Sequence, residues 1–171
     1  MKIQRRNHIM NNNITIRVAI EKDVPLILKF IRDLAEYEKL LQEVVATESS
    51  LKETLFTNKT NAEVIIAEVD EQPVGFVLFF HNFSTFLGRS GIYLEDLFIS
   101  PKARGQGVGK KVLNYIAKLA KDRNCGRLEW SVLNWNKDAI NYYEKLGAKP
   151  MNEWTVYRLS GTALADLARD Y

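Results

Sequence analysis

Apolar positions recur along the chain with two different periods, and the change between these periods outlines the secondary structure. Alternation of apolar and polar residues predicts β-strands over residues 14–20, 63–69, 74–83, 93–99, 127–133 and 154–159. Recurrence every three to four residues predicts helices over residues 23–41, 48–56, 110–121, 137–146 and 162–169. This order predicts an α/β fold of mixed α+β type, in which one mixed sheet carries helices on both faces.

Local signals support several of these boundaries. Pro25 follows Asp23 at the start of the first helix, where its missing N–H is tolerated. Thr47 and Asn136 precede the second and fourth helices and are typical N-caps, and Gly147 suits the position just after a helix.

Length and composition place the chain among ordinary globular domains. Its 171 residues predict a single domain over residues 14–171, preceded by a disordered polar tail over residues 1–13. The net charge of +3 comes from Lys2, Arg5 and Arg6 in that tail, so the domain is near neutral and a general nucleic-acid surface is not expected. No apolar run reaches membrane-spanning length.

Few residues are available for redox or metal chemistry. Cys125 is the only cysteine, which excludes an internal disulfide and predicts a reducing, cytoplasmic environment. With His8 and His81 the only histidines, a zinc site is not expected. We therefore predict no metal.

The most specific motif is the run Arg104-Gly105-Gln106-Gly107-Val108-Gly109, between a predicted strand and a predicted helix. Its spacing matches neither a P-loop nor a dinucleotide fingerprint. A glycine-rich turn that opens a helix directs several backbone N–H groups to one side and favours a pyrophosphate. The alternative is a glycine-rich surface turn.

Two adjacent acids, Glu95 and Asp96, interrupt the apolar strand that precedes this turn. In a strand they would face opposite sides, and burying either carboxylate is costly without a partner. That partner is either a cationic substrate and its proton, or a structural group such as an arginine or the backbone.

The glycine run resembles the pyrophosphate-binding signature of the GNAT N-acetyltransferase superfamily. Further runs are similar to its diamine acetyltransferase branch, which includes spermidine/spermine and thialysine acetyltransferases. These runs are residues 34–40 (LAEYEKL), residues 93–96 (YLED), Trp135-Asn136 with Tyr143, and residues 146–148 (LGA). The resemblance covers nearly the whole chain. It implies the GNAT fold, whose mixed sheet is mostly antiparallel, and acetyl transfer from acetyl-CoA to a small cationic amine.

The resemblance also assigns roles to individual residues. Tyr143 would be the general acid, although its helical spacing also fits a core tyrosine, and Glu95 would act as base or through a water relay. The residues implied to contact acetyl-CoA are Leu97, Phe98, Ile99, Arg104, Gly105, Gln106, Gly107, Val108, Gly109, Lys110, Asn136 and Tyr143. Those implied to bind the amine are Tyr37, Glu38, Phe86, Glu95 and, as a weaker contributor, Asp96.

Two departures and two alternatives remain. Phe86 stands where the branch has a tryptophan, and Ser84 stands where polyamine-selective members have an acid, which favours an amine shorter than spermidine. The alternatives are a peptide or protein acetyltransferase and a non-catalytic acetyl-CoA-binding module. Relatives in this branch are commonly homodimers, and the predicted strand over 154–159 would suit such an interface.

Overall fold

The structure, a computed structural model, describes residues 13–169, which fall into two compact units, residues 13–131 and 132–169. The strands are β1 Ile14–Val18, β2 Ala62–Val69, β3 Gln72–Ser84, β4 Arg89–Ile99 and β5 Leu128–Trp130. The helices are α1 Val24–Tyr37, α2 Glu48–Leu55, α3 Val108–Asp122, α4 Lys137–Lys145 and α5 Gly161–Ala168. The predicted tail lies outside the described residues except for Asn13, whose N–H donates to the Asp70 carboxylate at 3.0 Å.

The five strands form one sheet in the order β1-β2-β3-β4-β5. The first four strands are antiparallel neighbours, and β5 pairs parallel to β4. The predicted mixed, mostly antiparallel sheet is therefore confirmed.

Helices α1 and α2 cover one face of this sheet. Ile27 and Phe30 of α1 are buried in a cluster with Phe76 of β3 and Phe98 of β4. The Phe30 ring stacks on Phe76, with their centroids 5.8 Å apart. Because side chains alternate along a strand, residues in register with Phe76 and Phe98 point to the same face.

Helix α3 covers the opposite face. Several residues of β2, β3 and β4 that point away from α1 are buried, among them Ile65, Val77 and Ile92. The helix lies against β1 and β4, and its apolar stripe includes the buried residues Val112 and Ile116. Helices on both faces are therefore found as predicted.

Several strand and helix boundaries differ from their predictions, and two of these differences have a local reason. Helix α1 ends at Tyr37 rather than near Leu41, because Lys39 adopts a left-handed backbone with φ +63°. The Leu40 N–H then donates to the Ala35 carbonyl at 2.7 Å, which closes the last turn. Helix α3 starts at Val108, two residues earlier than predicted, so its first turn includes part of the glycine run.

The strand predicted over residues 154–159 is wrong. Those residues are described and have no regular secondary structure. Alternation of apolar residues reports a strand-like side-chain pattern, but a strand also needs a hydrogen-bonding partner. Trp154, Val156 and Tyr157 are instead exposed.

The second unit contains α4 and α5. Asn136 caps α4 as predicted, its Oδ1 accepting from the Ala139 N–H at 3.4 Å, and Gly147 follows the helix with φ +88°. Among residues 13–169, no helix is both long and apolar enough to cross a membrane.

Candidate functional site: a glycine turn, an open strand edge and a carboxylate cluster

The glycine run forms the N-terminal end of α3. Gly107 caps the helix in a left-handed conformation, with φ +87°, and no side chain of the described residues caps it. The first N–H groups of the helix, at Val108, Gly109 and Lys110, therefore have no intrahelical acceptor, and the helix dipole adds positive potential. A Cβ added at Gly105 or Gly107 would meet no atom within 4 Å, so the backbone conformation is what requires glycine there. This geometry fits a pyrophosphate.

The cationic side chains around the turn do not all point to it. The Arg104 Nε donates to the Ile99 carbonyl at 2.9 Å, and the guanidinium lies over the Tyr37 ring, 4.4 Å from its centre. The Lys111 ammonium donates to the Ile14 carbonyl. Lys110 lies in the first turn of α3 and is exposed.

Beyond Leu94, one edge of β4 has no strand partner among residues 13–169, and this is the open edge of the strand. Strand β5 pairs with β4 only over Ile92–Leu94, so the two strands diverge after Leu94 and Trp130. The Ser100 N–H donates to the Val74 carbonyl at 2.8 Å and therefore points to the edge of β4 that β3 occupies. Because successive N–H groups alternate between the two edges of a strand, those of Leu97 and Ile99 point to the edge that β5 has left.

This alternation separates the β4 residues that the resemblance implies to contact acetyl-CoA. Leu97 and Ile99 present their backbone amides to the open edge, whereas Phe98 faces β3 across the pair it forms with Phe76. Of these three residues, only Leu97 and Ile99 therefore offer an N–H group to a molecule bound along the open edge.

The adjacent acids lie at an irregularity in β4. Leu78 pairs with Asp96 and Phe79 pairs with Leu94, so Glu95 is an extra residue, a β-bulge, without a cross-strand partner. The simple expectation that Glu95 and Asp96 face opposite sides of a regular strand is thus modified: Glu95 is exposed, and Asp96 points to the α1 face and is half-buried.

The bulge brings together carboxylates from two elements. Burial raises the pKa of Asp96 to about 6, with smaller contributions from the negative charges of Glu95 and Glu38. Burial also raises the pKa of Glu38, at the end of α1. The expected amine-binding residues Glu38, Glu95 and Asp96 therefore lie near one another. Within residues 13–169, no group of His, Cys, Asp or Glu side chains is arranged to hold a metal ion.

Phe86 lies apart from this cluster. It sits at the tip of the β3–β4 hairpin and is 96% exposed. The paired strands continue for six residues from Leu78 to Ser84, which corresponds to roughly 20 Å. Ser84 itself is buried, and its Oγ accepts from the Leu87 N–H at 3.2 Å, which closes the hairpin turn.

In the second unit, the two expected residues lie on or beside α4. Asn136 caps the helix, and Tyr143 lies two residues before its C-terminal end. The Tyr143 ring has Tyr142 as a neighbour, with centroids 6.0 Å apart.

Sequence reasoning missed two contacts that shape the first unit. One is the stack of Arg104 on Tyr37, and the other joins the Tyr93 hydroxyl to Ser131 Oγ at 2.7 Å, where β4 and β5 diverge. Both join residues that are distant in sequence, and no local pattern indicates them.

Comparison with known protein families shows which family this chain belongs to. The acetyltransferase (GNAT) family model matches residues 31–148. The chain belongs to the GNAT acetyltransferase family. The GNAT resemblance expected from the motifs is thereby confirmed, and with it an acetyl-transferring enzyme.

Individual relatives agree with this assignment. Thialysine N-epsilon-acetyltransferase from Bos taurus is 40% identical over 91% of this chain and 97% of its own length. An L-ornithine N5-acetyltransferase from Arabidopsis thaliana is 34% identical over 87% of this chain and 85% of its own length. Among solved structures, an integron cassette protein from the mobile metagenome of V. cholerae is similar with a TM-score of 0.77 and 26% identity, over 91% of this chain and 98% of that one.

Proposed function

We propose that this GNAT enzyme is an N-acetyltransferase that moves the acetyl group of acetyl-CoA to a primary amine of a small cationic acceptor, by direct attack in a ternary complex. The observation that carries the proposal is the placement, within one compact unit, of a helix start without a side-chain cap, an open strand edge and a carboxylate cluster. The first two features suit the donor, and the third suits a cationic acceptor.

The donor would bind through main-chain amides. The diphosphate fits the first turn of α3, where Val108, Gly109 and Lys110 offer N–H groups and Lys110 adds charge. The amide-bearing pantetheine arm fits the edge of β4 beyond Leu94, where Leu97 and Ile99 offer backbone groups as a neighbouring strand would. The family resemblance implies that Asn136 also contacts coenzyme A.

The acceptor must lose a proton before it reacts. A lysine-like amine has a pKa of about 10.4 and is mostly protonated near neutral pH. The carboxylates Glu38, Glu95 and Asp96 would first attract the ammonium and then remove its proton, directly or through water. Asp96 is well suited to accept a proton near neutral pH because its pKa is about 6, and Glu95 is the residue that the family resemblance assigns as base.

The remaining steps fall to two further groups. Acetyl-CoA supplies the thioester carbon that the amine attacks and the thiolate that leaves. The Leu97 N–H would donate to the carbonyl oxygen as negative charge develops on it. The Tyr143 hydroxyl would donate a proton to the departing sulfur and recover it from solvent.

The relatives guide the choice of acceptor. Two of them are named for acetylating a side-chain nitrogen of an amino acid, thialysine in one case and L-ornithine in the other. In this chain Ser84 carries no charge and accepts from the Leu87 N–H in its own hairpin turn, so the chain lacks the acid that the branch resemblance associates with polyamine acceptors. We therefore propose a short amino-acid-like amine rather than spermidine. The enzyme would act in the cytoplasm as a homodimer.

A substrate screen tests the proposal. Purified protein is incubated with acetyl-CoA and a panel containing thialysine, ornithine, lysine, spermidine and short peptides, and thiol release is followed. We expect the highest kcat/KM with thialysine or ornithine. A preference for peptides would contradict the small-acceptor assignment, and tight coenzyme A binding without turnover on any amine would leave a binding module instead.

A further inference from the structure

The Arg104 side chain is held by two contacts inside its own unit rather than pointing to the phosphate turn. Its Nε donates to the carbonyl of Ile99, at the open edge of β4, with a distance of 2.9 Å. Its guanidinium lies over the Tyr37 ring at 4.4 Å, a distance at which cation–π attraction is effective. One face of that ring is therefore occupied by a cation of the protein itself.

Tyr37 stands at the end of the acceptor side. It is the last residue of α1, and Glu38 follows it as the C-cap. The Glu38 N–H donates to Leu34 at 2.9 Å, so the backbone on which Glu38 stands is continuous with the turn that carries the Tyr37 ring. Displacement of the ring would therefore shift the carboxylate that lies near Asp96.

Arg104 belongs equally to the donor side. Its backbone begins the glycine run, and its side chain holds the carbonyl of Ile99, the residue whose N–H faces the open edge. A donor bound along that edge and around the turn would restrain Arg104 at both places. One planar side chain thus connects the two substrate regions.

We infer that Arg104 is a positioning residue that couples the phosphate-binding turn to the amine-binding end of α1 through its stack on Tyr37. The inference rests on the proposed function and assigns this side chain a part in acceptor binding. Were Arg104 instead to bind phosphate directly, it would have to leave Tyr37, and substitutions at the two positions would act independently.

A double-mutant cycle tests the coupling. The variants are Arg104→Lys, Tyr37→Leu and their combination, with Tyr37→Phe as the variant that keeps an aromatic face. Lysine retains the positive charge but loses the planar group that stacks on the ring. Amine binding is measured by calorimetry in the presence of coenzyme A, coenzyme A binding is measured alone, and amine kcat/KM is measured by thiol release.

We expect Arg104→Lys to raise the amine Kd about three- to tenfold while the coenzyme A Kd changes by less than about twofold. The combined variant should bind amine no more weakly than Tyr37→Leu alone. In the Tyr37→Phe background, Arg104→Lys should again weaken amine binding, because the ring is present. The control Lys110→Gln, which removes an exposed charge at the same turn, should weaken coenzyme A binding more than amine binding.

Two results would overturn the inference while leaving the proposed function intact. One is additivity of Arg104→Lys and Tyr37→Leu in an enzyme that acetylates amines. The other is an effect of Arg104→Lys on coenzyme A alone, as for Lys110→Gln. A wild-type enzyme that neither binds nor acetylates any amine of the panel would overturn the proposed function and this inference together.

Discussion

Asp96 is the residue at which the requirements of folding and reaction differ most. Its carboxyl group is half-buried on the α1 face. Burial is the main reason why its pKa rises from 3.8 to about 6, and the negative charges of Glu95 and Glu38 raise it further. A raised pKa means that the folded protein binds the proton more tightly than the unfolded chain does. The stability present while Asp96 is protonated, below about pH 4, is lost as the pH rises through about 6.

Replacing Asp96 with asparagine should therefore stabilise the protein at higher pH. The free energy of unfolding of Asp96→Asn minus that of wild type should be about 1 kcal/mol larger at pH 7.5 than at pH 5. Urea unfolding at the two pH values measures this difference. The same variant should lose amine turnover.

The matched control is Asp122→Asn, at an exposed carboxylate at the end of α3. This variant removes a carboxylate that is exposed and pairs with Lys118 at the surface, so it tests the loss of a carboxylate without burial. An equal effect at positions 96 and 122 would show that the local environment of Asp96 is not the cause.

Tyr143 and its neighbour Tyr142 provide a second matched pair. If the Tyr143 hydroxyl protonates the departing sulfur, Tyr143→Phe should lower kcat on the order of 10²-fold with little change in coenzyme A affinity. Steady-state kinetics and calorimetry with coenzyme A measure the two quantities.

Tyr142→Phe makes the same chemical change one residue away. The Tyr142 hydroxyl has no hydrogen-bond partner among the described residues, so its removal should leave kcat within a few-fold of wild type. An unchanged kcat in Tyr143→Phe, or equal losses in both variants, would remove Tyr143 from the proposed mechanism.

At this scale the sequence indicated part of the site. The pair Glu95–Asp96 stood out because charges within an apolar strand need a reason, and the structure places Glu38 near them. The stack of Arg104 on Tyr37 left no such signal, since each residue by itself resembles an ordinary surface side chain. The role of Phe86 stays a prediction, and the hairpin holds that residue far from the carboxylates of its own chain.

Among the elements, α3 depends most on a single backbone conformation. Gly107 has φ +87°, which costs a residue with a Cβ about 1 kcal/mol or more. We expect Gly107→Ala to lower the free energy of unfolding by about that amount and to weaken coenzyme A binding, because the first N–H groups of α3 would change direction. Urea unfolding and calorimetry measure the two effects.

Gly109→Ala is the comparison within the same helix. Its Cβ would also enter open space, but Gly109 has no positive φ. Since alanine favours a helix more than glycine does, this variant should gain roughly 0.5–1 kcal/mol in stability. Equal destabilisation by both variants would contradict the conformational explanation.

Elements bounded by local signals were predicted well. Thr47 caps α2, its side chain accepting from the Ser50 N–H, as its sequence context indicated. Elements that depend on a distant partner were predicted less well: β5 stops at Trp130 because β4 diverges from it, and residues 154–159 form no strand. The alternation of side chains along a segment does not indicate whether another segment lies beside it to form the backbone hydrogen bonds of a sheet.

For the whole molecule, we propose that exposed apolar residues of the second unit contribute to a homodimer interface. Val156 and Tyr157 are 83% and 92% exposed, and exposed apolar groups of this kind often mark an interface. We expect the protein to sediment as a dimer at micromolar concentration and Val156→Lys to shift it towards monomer. Sedimentation velocity distinguishes the two states.

Asn152→Lys adds the same charge at a nearby exposed polar position and should remain dimeric. A wild-type protein that sediments as a monomer at these concentrations would remove the homodimer from the proposal. Dimers in both lysine variants would place the interface elsewhere on the surface.

The bulge in β4 leaves Glu95 outside the pairing with β3, while its neighbours on both sides are paired. Because Glu95 has no partner across the ladder, a chain without this residue could keep every remaining pair between β3 and β4 in place. The β3–β4 pair would become a regular ladder, with Leu94 and Asp96 still on their present faces. Glu95, the residue proposed as base, therefore contributes no pair to the ladder, so the pairing of β3 with β4 does not depend on it.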